Sequence, residues 1–344
     1  MIRFAQTTAE QVWPFLDFTH SLGRHINNLI NNMGLPQRLL TDGSIKLSTH
    51  LVYEFIAALS HNEQLPMLGW QSGFHQGPIA FGSLSKTALK KPTLGTALNY
   101  LVKQVEQGAS HANFFFKEEN DHVFFCHVGG VPVKSKGYVH VESYVLAVIW
   151  SFVQLTQIQL ETPVKIRMRS TEELIIPPCF ELDRQGSSYS AISIPKALLE
   201  KKIYQEAIPT QPPTNRSIEN LPKLEACKNR YPSLELMIEI LQAYIGDPNG
   251  LPSIEHMTRI CNCSKRSLQR ELANIPITYT GLITDIKCET AKFYLSEGKD
   301  IHLVSRILSY KNPTHFSRAF KKNQQISPKE WVNKKTKINT KEYA

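Results

Sequence analysis

Long apolar runs are missing from this chain of 344 residues. The longest, 145–150, stops at Ser151, far short of the roughly 20 residues that a membrane-spanning helix needs. The opening MIRFAQTTAEQVWPF lacks the basic-then-apolar pattern of a signal peptide. Cysteine is sparse and scattered: Cys126, Cys179, Cys227, Cys261, Cys263 and Cys288. That scatter gives no disulfide framework, so free thiols in a reducing cytoplasm are expected. Cys261-x-Cys263 has no second Cys or His pair at zinc spacing, and no metal is expected. The histidines from His20 to His140 show no helical ligand spacing with a matching carboxylate. There is no nucleophile motif and no glycine-rich phosphate loop. Neither catalysis nor a cofactor is expected.

Charge imbalance is absent from residues 1–250, which hold 22 Lys+Arg and 22 Asp+Glu. Residues 251–344 hold 17 and 8, and so carry the whole net charge of +9. Such segregation implies a neutral domain joined to one with an anionic partner. Nucleic acid ranks first and an acidic membrane surface second. A merely solvated basic face is the bland alternative.

The chain divides at residues 207–232, where Pro209, Pro212, Pro213, Pro222 and Pro232 interrupt any long helix or central strand. Before that boundary the pattern is mixed. Helical patterns cover roughly 9–33 and 48–60, the first interrupted by Pro14 and ended by Gly34. Thr93 caps a helix whose stripe is Leu94, Leu98, Leu101, Val102 and Val105, with Gly108 at its end. ANFFFKE and HVFFCHV flank Glu119-Asn120-Asp121 as a β-hairpin. Residues 139–158 read as a buried helix. Val164, Ile166 and Met168 alternate with Lys165, Arg167 and Arg169, a half-buried strand, and 189–194 is a further strand. This is an α+β domain large enough to enclose a pocket. Its aromatics Trp13, Phe15, Phe18, Tyr53, Phe55, Trp70, Phe74 and Phe81 are core by default, pocket lining being the alternative.

After the boundary only helices are expected. Ser233 caps a helix with Leu234, Met237, Ile238, Leu241 and Ile245 on one stripe. Ser253 caps IEHMTRIC, Asn262-Cys263 makes a turn that tolerates left-handed backbone, and Ser264 caps KRSLQRELA. Helix, tight turn and helix form a unit whose second helix enters the major groove of DNA. Lys265, Arg266, Gln269 and Arg270 would face DNA, with Leu268 and Leu272 inward. The unit recurs as helix 301–308, turn 309–311 and helix 313–322. In the second copy Asn312 caps, Pro313 opens the helix, and Phe316, Ala319 and Phe320 share the inner face. Asn312, Thr314, His315, Ser317, Arg318, Lys321 and Lys322 are its candidate DNA contacts. A helix over 279–297 joins the two units. At 1.5 Å per residue it is roughly 28 Å long, which sets the recognition helices about one DNA turn (~34 Å) apart. Lys334, Lys335 and Lys337 lie beyond the last expected helix, in a solvated basic tail.

Over residues 231–333 this pattern resembles the AraC/XylS transcription regulators. The matching residues are Ser264, Leu268, Gln269, Arg270 and Leu272 in the first unit and Ala291 in the joining helix. The second unit matches through His315-Phe316-Ser317-Arg318-Ala319-Phe320-Lys321 followed by Ser327-Pro328. The departures are Thr258 and Ser305 where Ala is usual, Asn262 and Ser309 where Gly is usual, Tyr310 for Phe, and Lys287 for Arg. The first region resembles the "arabinose-binding" domain of the branch that includes ornithine-type regulators. That likeness rests on Phe81-Gly82, on Lys91-Pro92-Thr93-Leu94-Gly95-Thr96-Ala97-Leu98, and on Cys179-Phe180 and Leu198-Leu199.

The resemblance implies an effector-binding and dimerisation domain over 1–205, a linker over 206–230, a double helix-turn-helix domain over 231–333 and a basic tail over 334–344. It implies a homodimeric, cytoplasmic activator that binds double-stranded promoter DNA, answers to a small-molecule effector and works with RNA polymerase. A ligand-independent DNA-binding regulator is one alternative. An Ada-type alkylation-repair protein, which this DNA-binding domain also resembles, is another; it would need a reactive cysteine cluster.

Overall fold

The computed structural model describes residues 5–105, 112–160, 163–170, 175–183, 187–204 and 222–341. The chain forms two compact units. Of the described residues, one comprises those of 5–35 and 40–204, and the other comprises 222–341 with 36–39. The first is α+β and the second is helical, as the sequence patterns require.

In the first unit, β1 (Gln6–Thr8) pairs antiparallel with β2 (Lys46–Ser48). Helices α1 (Trp13–Ser21), α2 (Asn27–Met33), α3 (Thr49–Asn62), α4 (Leu68–Gln76), α5 (Ser83–Ala88) and α6 (Leu94–Gln104) follow. The helical pattern over 9–33 thus breaks into a 3-10 turn and two helices, with Gly34 closing α2 at φ 73°. Thr93 caps α6 in a reciprocal pair with Thr96. The expected stop at Gly108 lies outside the described residues.

A five-stranded sheet runs in the order β3 (Asn113–Glu119), β4 (His122–Val128), β7 (Ser190–Pro195), β5 (Val164–Arg167), β6 (Phe180–Leu182). The expected hairpin is β3–β4, with Asn120 at φ 50° in its two-residue turn. Among the described strands only β5 and β6 pair in parallel. Helix α7 (Tyr138–Gln154) is apolar almost all round and packs against the sheet on one side and α4 on the other. Gly69 and Gly73 permit that approach. A Cβ on Gly69 would sit 2.0 Å from the His140 carbonyl oxygen, and one on Gly73 2.6 Å from the Ala147 Cβ. Helix α8 (Lys196–Leu199) closes the unit.

One strand departs from its expected pattern. Arg167, read as solvent-facing, is buried. Its guanidinium forks onto both Glu119 oxygens at 2.8 Å, reaches Asp183 at 2.9 Å and lies 4.0 Å from the Phe124 ring centroid. The pairing holds the Glu119 carboxyl down to about 2. A fork-shaped cation can be buried when its donors are satisfied.

The second unit contains α9 (Glu225–Arg230), α10 (Glu235–Ala243), α11 (Ile254–Ile260), α12 (Lys265–Ala273), α13 (Tyr279–Ser296), α14 (Ile301–Ile307), α15 (Pro313–Gln324) and α16 (Pro328–Lys341). Ser233 does not cap α10. Pro232 opens a 3-10 turn one residue earlier, so Ser233 lies inside that turn. α9 falls within the stretch read as linker, with Cys227 fully buried beneath it. α16 continues past residue 333 into the stretch read as tail. No described helix is long and apolar enough to cross a membrane.

Candidate nucleic-acid interface

Each helix-turn-helix unit is built by local signals. Ser253 accepts from the His256 N–H at 3.1 Å to start α11, and Ser264 accepts from the Ser267 N–H at 3.1 Å to start α12. Between them Asn262 takes φ 47°. In the second unit Asp300 caps α14 through the Leu303 N–H at 2.9 Å. Asn312 caps α15 through the His315 N–H at 2.9 Å, with Pro313 at the first helical position. Ser309 takes φ 55° in that turn. Both departures from the usual Gly thus occupy left-handed backbone, the conformation glycine adopts without a Cβ penalty.

The undersides of α12 and α15 are core. Leu268 and Leu272 are buried, as are Phe316 and Phe320. The two Phe rings sit 5.8 Å apart, and Phe320 meets Trp331 at 6.4 Å. Val304, Leu308, Ala291 and Leu295 join that cluster, so α15 is fixed to both α13 and α14. Asp285 on α13 accepts from Asn323 of α15 at 3.3 Å, from Tyr231 at 2.8 Å and from Arg230 at 2.9 Å. The joining helix therefore anchors α9 and the second recognition helix through one carboxylate. Lys287 lies with its ammonium 4.6 Å from the Tyr310 ring centroid, and burial lowers its pKa.

The outer faces carry the candidate contacts. Lys265, Arg266, Gln269 and Arg270 are exposed on α12. Lys265 pairs with Glu255 at 2.7 Å, which ties α12 back to α11. On α15, Thr314, His315, Arg318, Lys321 and Lys322 are exposed and Ser317 is half-buried. The side-chain oxygen of Asn312 is engaged in its cap, while the residue itself is exposed. Each face thus presents cations with one amide, Gln269 or Asn312, side-chain types able to hydrogen-bond base edges or phosphates. Sequence reasoning missed the anchoring carboxylate, Asp285. No local pattern marks it, because its partners lie 38 to 55 residues away.

Cys126, Cys227, Cys261 and Cys288 are buried, Cys263 is half-buried and Cys179 is exposed. Burial lifts Cys126 and Cys261 to about 12 and Cys288 to about 11. Among the described residues no group of three or more His, Cys, Asp or Glu is placed to hold a metal.

Residues 257–334 match the family described as "Helix-turn-helix domain". An 88-residue stretch is 26% identical to the ornithine utilization regulator of Pseudomonas aeruginosa, covering 25% of this chain and 26% of the relative. The chain therefore spans about a quarter of the length of the curated relative it matches. A crystal structure of the transcriptional regulator CdpR from Pseudomonas aeruginosa aligns over 90% of this chain and 96% of that one. That alignment has 15% identity and a TM-score of 0.37.

Proposed function

We propose that this chain, whose residues 257–334 form an AraC-type helix-turn-helix domain, is a sequence-specific transcription regulator that sets α12 and α15 into successive major grooves. One observation carries the reading. Two separately capped short helices each bury an apolar underside in one folded unit and expose a cationic, amide-bearing face.

The division of labour follows from side-chain chemistry. Arg266, Gln269, Arg270 and Arg318 read base edges, because Arg and Gln present paired donors or a donor–acceptor pair. Lys321 and Lys322 neutralise phosphates, and Thr314, His315 and Ser317 position the α15 N-terminus. α13 has 18 residues, about 27 Å at 1.5 Å per residue, which suits two grooves on one face of the duplex. Asn312 contributes through its cap, and Lys265 exchanges Glu255 for phosphate on binding.

The first unit serves as a sensor in this reading. A small molecule bound there shifts dimerisation or the placement of the DNA-binding domains, and so changes promoter occupancy and recruitment of RNA polymerase. The neutral charge of residues 1–250 supports a role other than DNA contact. Methyl-acceptor chemistry needs a thiolate. Cys126 is buried in β4 with its thiol lifted to about 12, and the exposed Cys179 is also raised above its ordinary value by partial burial, which disfavours the repair alternative.

The test is a footprint of the purified chain on the DNA upstream of its own coding region. Two protected patches about one helical turn apart per chain are expected. No protection at moderate salt, with or without candidate effectors, would overturn the reading.

A further inference from the structure

The first unit contains a partly open cavity of about 90 Å³ between α3, the β3–β4 hairpin and α7. Its walls are mostly apolar: Val52 and Ile56 from α3, Phe114 from β3, Val141 and Val145 from α7. Among the described residues no Asp, Glu, Lys or Arg lines it. Two polar side chains on the wall stand out. Thr49, at the start of α3, is 5% exposed, and His127, on β4, is 3% exposed. The Thr49 hydroxyl and the His127 Nδ1 are both buried without a hydrogen-bond partner. Buried polar atoms are almost always partnered, and two orphans on one cavity wall mark a place where a partner belongs.

Neither orphan is explained by the fold around it. The Tyr144 hydroxyl on the same wall does find a partner, donating to the Ala80 carbonyl at 2.8 Å. The His127 ring meets the Phe114 ring edge-on, with centroids 5.6 Å apart. Burial, with the Arg169 charge adding to it, holds the imidazole neutral, its pKa near 3. A neutral imidazole offers one acceptor and one donor nitrogen, and a hydroxyl offers both roles. The described lining residues carry no charge, so desolvation favours a neutral ligand over an ion at this wall. An engineered cavity of roughly 150 Å³ holds benzene, so in proportion this one holds about four heavy atoms, near the size of a short alcohol.

We propose that the cavity between Thr49 and His127 binds a small uncharged molecule with an apolar body and one polar end that bonds both side chains. This deepens, and rests on, the reading of the first unit as a sensor. It gives that sensor a ligand class: a short neutral alcohol or amide, in contrast to an amino acid, a carboxylate or a phosphate ester.

The experiment uses the full chain and three probes that share a four-carbon chain and differ in the polar end: butan-1-ol, butanoate and butylammonium. Ligand-observed NMR titration should show saturable binding of butan-1-ol at or below about 1 mM and none of either ion. Thr49→Val keeps the shape and removes the orphan hydroxyl. It should weaken butan-1-ol binding at least tenfold while the melting temperature of the ligand-free chain stays the same or rises. A lowered melting temperature with unchanged binding would make the hydroxyl structural and overturn the proposal. Binding of butanoate as tight as that of butan-1-ol, or of no probe, would also overturn it. None of these readouts involves DNA. The footprint of the ligand-free chain judges the recognition helices separately.

Discussion

The side-chain oxygen of Asn312 accepts the His315 N–H at 2.9 Å, so the residue that opens the second recognition helix is also poised beside whatever that helix binds. The two roles separate experimentally. Asn312→Ala should cost about 1 kcal/mol of stability, the usual loss on removing a cap. Asn312→Asp keeps a cap of equal quality and adds a negative charge beside DNA phosphate. It should leave urea unfolding unchanged and weaken DNA binding, read by fluorescence anisotropy.

Ser309 adopts φ 55° and Asn262 φ 47°. An L-residue held in that region costs roughly 1–2 kcal/mol, less for Asn, whose short side chain tolerates it. Ser309→Gly should therefore stabilise the C-terminal domain by about 0.5–1 kcal/mol, and Asn262→Gly should change it by a few tenths or less. The only side-chain bond at stake is a long one, from the Ser309 hydroxyl to the Asp247 carbonyl at 3.4 Å. Chemical denaturation of each variant checks the order.

Phe316 and Arg318 lie two residues apart on one helix and should fail in opposite ways. Phe316→Ala empties a site that is 1% exposed and should destabilise the domain by about 3–5 kcal/mol. Arg318→Ala should leave stability within about 0.5 kcal/mol and cost about 1–3 kcal/mol of specific binding. Paired unfolding and anisotropy curves test both.

The buried His127 and the half-buried His140 give the first unit an acid-sensitive stability. His127 is held near 3 and His140 near 4, both by burial, against an ordinary value of 6.5. Below 6.5 the unfolded chain takes up protons that the folded chain refuses. The stability is fully present above pH 6.5 and is lost as pH falls toward the folded values. Each such histidine contributes up to about 1.4 kcal/mol per pH unit in that window. His127→Gln should flatten the fall between pH 6.5 and 4. Urea midpoints of the first unit at half-unit pH steps give the comparison.

Much of the second unit was legible in the sequence because its determinants are local. Ser253, Ser264 and Asn312 each cap a helix three residues ahead, and Leu268/Leu272 and Phe316/Phe320 pair at a four-residue spacing. What was not legible depends on distant partners. Arg167 looks solvent-facing by alternation, and its burial is explained by Glu119 and Asp183, 48 and 16 residues away. Ser233 has cap chemistry, yet Pro232 claims the turn first. The cavity joins residues from Thr7 to Val145, and of the eight aromatics named as core or lining only Phe15, Tyr53 and Phe81 reach it. No periodicity encodes such a meeting.

The most direct test of the central claim, that one chain reads two sites with two helices, pairs variants with altered DNA. Affinity is measured for a bound upstream fragment and for versions with either protected patch scrambled, using the wild-type chain, Arg270→Ala and Arg318→Ala. The account predicts that Arg270→Ala loses sensitivity to one patch only, and Arg318→Ala to the other, each discrimination shrinking by about 1–3 kcal/mol. Equal responses of both variants to either scrambled patch would contradict it.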